Sequence, residues 1–155
     1  MLPHNFRALP TMLFEPHGDI RFWVEGRLHF VEIRGPWNAE LIAAYRRHSA
    51  ADVQALTADG PWAAVVIPRV SAMFTDDAAD ELRAMLNDNQ RTLHRVAACY
   101  VIGPDVEGYH LCEGILRDIY EPSSAFAVFE TLPPARAWCD RLVADALDGG
   151  TAGGP

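Results

Sequence analysis

Basic residues are in short supply in this 155-residue chain: 13 Lys and Arg stand against 21 Asp and Glu, a formal net charge of −8. Such a surface repels phosphate backbones and anionic lipid, so neither nucleic acid nor a membrane surface is an expected partner. Cysteine is scarce as well. Cys99, Cys112 and Cys139 are odd in number, lack CxxC spacing and lie inside apolar patterns, which predicts reduced core thiols in a cytoplasmic protein. No apolar run approaches the roughly 20 residues that span a bilayer, and the proline-bearing start, MLPHNFRALPTMLFEP, does not read as a signal peptide. The motifs GxGxxG, GxxxxGKS/T, GxSxG and HExxH are missing too. Their absence counts against the common nucleotide enzymes and hydrolases.

What the chain does have is an apolar half, 50% of its residues, at a mean hydropathy of −0.02. That is the composition of one globular domain with a real core. The organising stretch is Trp62 to Leu86. Ala63-Ala64-Val65-Val66-Ile67 is continuously apolar and bounded by Gly60-Pro61 and Pro68, as expected of a strand covered on both faces. Thr75 then offers a hydroxyl to cap a helix, and Asp76 and Asp77 place negative charge at its positive end. Between them lies Pro68 to Phe74, at the carboxyl end of the strand, where open α/β sheets usually bind ligands.

The rest of the chain alternates in the same way. Residues 1–18 show no period and read as an arm packing on the body or on a second subunit. Ile20, Phe22 and Val24 alternate with Arg21, Trp23 and Glu25, and Gly26 turns that strand into a second one over Leu28 to Ile33. A helix capped by Asn38 is expected from Ala39 to Ala58, stopped by Asp59-Gly60-Pro61. The helix after the central strand is expected to close at His94 and Arg95. An apolar strand over Val96 to Ile102 follows, then a helix over Val106 to Tyr120, a strand over Ala125 to Phe129 and a last helix from Pro133. Residues 149–155, GGTAGGP, read as a flexible tail. The predicted fold class is therefore α/β: one domain over 19–148 in the order ββαβαβαβα, with a mostly parallel five-stranded sheet, an antiparallel N-terminal hairpin strand and helices packed on it.

Four segments carry a family likeness. The hairpin ending in Gly35-Pro36-Trp37-Asn38, the Val65-Val66-Ile67 strand, the apolar strand Ala97 to Ile102 and the closing Phe126 to Phe129 with Ala135 to Trp138 resemble bacterial SpoIIAA-like proteins of the STAS (sulfate transporter and anti-sigma antagonist) fold, also labelled STAS/SEC14-like. The resemblance spans roughly residues 19–145. It implies a non-enzymatic domain that binds a protein partner, in the anti-sigma antagonists through a serine phosphorylated at the start of the helix after the central strand. Here the expected Asp-Ser-Ser-Gly is replaced by Thr75-Asp76-Asp77-Ala78, which leaves Thr75 and Ser71 as the nearby hydroxyls. The related lipid-binding proteins imply a second role, carrier or sensor of a small apolar ligand.

The partner- or ligand-binding candidates are Arg69, Ser71, Met73, Phe74, Thr75, Asp76 and Asp77. Asp76 and Asp77 either mimic a phosphorylated state or simply cap the helix. Arg69 and Ser71 either meet a partner or are ordinary loop residues, and Met73 and Phe74 either gate a pocket or staple the helix start to the core. His110 and Glu113 have i, i+3 spacing, but Cys112 falls on another face, so they read as solvated helix surface instead of a metal site. No catalytic, cofactor or metal residues are assigned. Among Trp23, Trp37 and Trp62, at least one is expected to be exposed at an interface between copies.

Overall fold

A computed structural model of the chain describes residues 11–15 and 18–152. Its six strands are β1 (Thr11–Glu15), β2 (Gly18–Glu25), β3 (Leu28–Arg34), β4 (Trp62–Arg69), β5 (Arg95–Val101) and β6 (Ala125–Phe129), lying side by side in chain order. The pairs β1–β2 and β2–β3 are antiparallel, and β3–β4, β4–β5 and β5–β6 are parallel. The five expected strands are all present. The sixth, β1, comes from the segment expected to be a packed arm; residues 1–10 of that arm lie outside the described residues.

The helices are α1 (Ala39–His48), α2 (Ala50–Asp59), α3 (Asp76–Leu86), α4 (Asn89–Thr92), α5 (Glu113–Tyr120) and α6 (Leu132–Ala152). Every parallel crossover advances the sheet in the same direction. With one crossover hand, that puts the connecting helices on one face. The core divides accordingly: Ala64, Val66, Ala98 and Tyr100 pack with residues of α1, α2, α3 and α5, whereas Ala63, Val65, Ala97 and Cys99 pack with Ala135, Cys139 and Val143 of α6. Seven of the eight residues of β4 are buried, with Arg69 the exception, as a strand covered on both sides requires.

Several helix boundaries differ from expectation. The helix expected to run from Ala39 to Ala58 breaks at Ser49, which is fully buried and accepts a hydrogen bond from Arg91 Nη2. The next helix stops at Leu86 because the Asp88 side chain accepts from the Gln90 N–H and opens a separate turn. Gly108, at φ +85°, keeps residues 104–112 in turns, so α5 starts at Glu113 and not at Val106. At the end of the chain, α6 carries Gly149 as helix and reaches Ala152, into the expected tail. The tryptophans also depart from expectation: Trp23, Trp37 and Trp62 are all buried, none exposed at an interface, because each fills a gap between sheet and helix or stacks on a neighbour, as Trp23 does on Phe30.

His29 in β3 lies 1% exposed on the helix-bearing face, with Nε2 2.7 Å from the Tyr45 hydroxyl. Burial, helped by the Arg91 charge, pushes its pKa down to about 3. Between that value and the ordinary 6.5, the unfolded chain binds a proton that the native state refuses, so stability falls as pH falls through this window. His29→Gln is expected to flatten the decline by up to about 1.4 kcal/mol per pH unit. Urea denaturation of both proteins between pH 7 and pH 4 measures it; parallel curves would refute the assignment.

Candidate functional site

The loop from Val70 to Thr75 leaves β4 at the carboxyl edge of the sheet and is gripped from both sides. On one side, the Gly35 N–H donates to the Arg69 carbonyl at 3.0 Å, the Trp37 N–H to Met73 at 3.2 Å, and the Thr75 N–H to Trp37 at 3.2 Å. On the other, the Glu107 N–H donates to the Val70 carbonyl at 3.0 Å and the Ala72 N–H to the Glu107 carbonyl at 2.8 Å. Two glycines make the approach possible. A Cβ on Gly35 would sit 2.2 Å from the Ser71 carbonyl oxygen, and one on Gly108 would sit 2.8 Å from Met73 Sδ.

The seven predicted residues take different roles on and beside this loop. Ser71 is 2% exposed, donates to Glu107 Oε1 at 2.7 Å and accepts from the Met73 N–H. It is a brace of the loop, closed off from any modifying enzyme or partner. Arg69, the exposed last residue of β4, pairs with Glu32 at 3.2 Å, as Arg21 does at 2.7 Å. Burial raises the Glu32 carboxyl pKa, but the hydrogen bonds and charges of the two arginines outweigh it and hold it below its usual value. Thr75 caps α3, its hydroxyl accepting from the Ala78 N–H at 3.2 Å, with Asp76 and Asp77 exposed in the first turn. Capping thus accounts for Thr75.

Met73, Phe74 and Asp76 come together with residues outside the predicted set. They line a groove between α3 and α5 with Ala79, Asp80, Arg83, Leu111, Cys112 and Ile115. Phe74 is held by Trp37, the ring centroids 4.9 Å apart. Leu111 is 73% exposed, Ile115 48% and Met73 39%. Single exposed apolar side chains are ordinary; three along one groove make it the candidate contact surface. Leu111 and Ile115 were legible as an i, i+4 apolar pair. A helix running from Val106 would carry them on one face with Leu116 and Ile119; α5 starts at Glu113 instead, and both are exposed.

The groove's charged residues are Asp76, Asp80 and Arg83. Asp80 pairs with Arg83 at 3.6 Å, leaving Asp76 on its rim with Asp77 beside it. His110 packs against Tyr109 at 3.9 Å between ring centroids, and Glu113 pairs with Arg117 at 3.1 Å. No group of three or more His, Cys, Asp or Glu among the described residues is placed to hold a metal, and no described helix is long and apolar enough to cross a membrane. Compared with known proteins, the chain matches no family model and no curated sequence.

Val70 adds strain to this edge. A β-branched residue at φ +67°, 56% exposed, is unfavourable by roughly 1–3 kcal/mol. Val70→Asn, which tolerates that conformation, is expected to raise stability by about 1 kcal/mol in urea denaturation; a loss of stability would show that the valine side chain contributes more than its backbone costs. The cysteines give a second expectation. Cys99 and Cys139 are fully buried with sulfurs 3.5 Å apart, and Cys112 is 3% exposed. The Cys139 contact and burial raise the Cys99 pKa, and burial raises that of Cys112. All three thiols are expected to react with Ellman's reagent only as the protein unfolds; a fast-reacting thiol in the native protein contradicts this.

Proposed function

We propose that this chain is a STAS-like, non-enzymatic regulatory domain of a bacterial cytoplasm that binds a protein partner through the loop after the central strand and the helix that follows it. One observation carries the reading: the apolar groove between α3 and α5, with Met73, Leu111 and Ile115 exposed along it, at the carboxyl edge of a parallel sheet. Asp76 and Asp77 give it an acidic rim. The complementary partner presents two or three apolar anchors flanked by Lys or Arg, such as the apolar face of a basic amphipathic helix. The family resemblance adds support, since it too assigns partner binding to this loop and helix.

A second reading, carriage or sensing of a small apolar or lipid ligand, is favoured by an apolar-walled cavity of about 40 Å³ between the sheet and α1 and α3. At that size a lipid chain enters only if the helices separate.

The partner reading is tested by capture from host extract with the purified chain, followed by binding measurements on the captured protein. Leu111→Asp with Ile115→Asp, and separately Asp77→Arg, are expected to weaken binding at least tenfold, about 1.4 kcal/mol, with the circular dichroism unchanged. A partner held equally by all three proteins refutes the groove as its site. Sedimentation distinguishes a second copy of this chain from a different protein.

A further inference from the structure

The cavity between the sheet and α1 and α3 holds positive charge with no carboxylate among its lining residues, the Arg91 and Arg95 guanidinium carbons lying 5.5 Å and 5.6 Å from the ring centres of Tyr45 and Tyr120. Arg91 and Arg95 line it together with Tyr45, Tyr100 and Tyr120, among walls that include Val66 and Met85. Arg95 is 7% exposed; its Nη2 donates to Ser123 Oγ at 2.6 Å, and its Nε–H has no partner. Arg91 donates to the Arg46 carbonyl at 3.1 Å and to Ser49 Oγ at 3.0 Å. Neither guanidinium takes part in any ion pair among the described residues. In a chain of formal charge −8, two arginines facing a cavity without one carboxylate form an arrangement that folding alone disfavours.

Local backbone geometry aims Arg95 there. In β5 the pairing with β4 passes from Trp62↔Arg95 to Ala63↔Ala97, skipping Val96. Strict alternation would set Arg95 on the face of Ala97 and Cys99, against α6. The shift places it instead with Trp62 on the face of Tyr100 and the cavity, the re-aiming that bulges perform beside binding sites. This end of the cavity lies at the start of β4 and β5, away from the groove at their carboxyl ends. Leu86 forms a common wall with a surface cleft bounded by Asn87, Thr92, Asp118 and Ser123.

We propose that this cavity binds a small monocarboxylate bearing a short hydrocarbon chain, the carboxylate on the free Nε–H of Arg95 and the chain on the apolar wall. The volume, about 40 Å³, accommodates roughly three water-sized groups, which suits a short acid and excludes a folded lipid. Phosphate fits poorly: its oxygens need more donors than one free guanidinium edge and a few tyrosine hydroxyls provide, and apolar walls give it nothing. Burial lowers the Arg95 pKa from its ordinary value, with Arg91 contributing in the same direction, and a bound carboxylate would oppose both. The site is independent of the partner-binding groove.

Sodium propionate is the probe, added to the full chain at constant ionic strength while arginine Nε–H signals are followed by NMR and the melting temperature is recorded. One arginine signal is expected to shift saturably and the melting temperature to rise, with propionamide and inorganic phosphate giving neither effect. Arg95→Gln is expected to weaken the response at least tenfold, and Arg95→Lys serves in its place if the glutamine variant does not fold. The proposal is overturned if propionate gives no saturable shift, if propionamide or phosphate matches it, or if a folded Arg95 variant binds as the wild type does. Should neither variant fold, the wild-type titration against propionamide and phosphate decides alone.

Discussion

The interior position of β4 governs the architecture. With parallel neighbours on both sides and apolar layers above and below, this strand satisfies its backbone through β3, β5 and the residues flanking them. Its exit therefore emerges at the middle of one sheet edge, between the exits of two neighbours. The grip on Val70 to Thr75 follows from that crowding. Loops from β3 and β5 flank it closely enough that side chains at Gly35 and Gly108 would collide with it. A loop held by backbone bonds on both sides loses little entropy on meeting a partner, which is why a rigid edge makes a good presenting surface.

The two sides of the sheet are built from different material. One carries five helices, a set of aromatic rings and most of the polar interior, including His29, Tyr45 and the two arginines. The other packs a single helix against small residues such as Ala63, Ala97 and Cys99 together with the stacked rings of Trp23 and Phe30, and its two sulfurs lie 3.5 Å apart. Both candidate sites, the groove and the charged cavity, belong to the many-helix side. Interfaces between several short helices leave gaps and clefts that one long helix on a smooth sheet does not.

Much of the fold was legible in the sequence. Continuous apolar runs located β4, β5 and β6, alternation located β2 and β3, and Asn38, Thr75 and Gly60 punctuated helices where expected. The misses share a cause: tertiary hydrogen bonds decided local geometry. Ser49 breaks a helix while bonded to Arg91, forty-two positions away, and no local pattern announces it. β1 depends on pairing with β2, in a stretch without clear alternation. For the site, the loop was found and its roles were not. Ser71 looked exposed because a loop serine usually is, and it became a buried brace once Glu107 arrived from a distant turn. Arg95 was expected to close the preceding helix; it is the first residue of β5, and the skipped residue at Val96 turns it to the face opposite the one that strict alternation assigns.

The single-helix cover has a consequence for biosynthesis. α6 is the last described element to leave a ribosome, after all six strands. Until it emerges, Ala63, Val65, Ala97 and Cys99 have no helix to lie against, although the opposite side is already complete. A nascent chain of this topology thus shows an apolar sheet surface to its surroundings for the time taken to translate α6, a window in which chaperones or neighbouring nascent chains find their target.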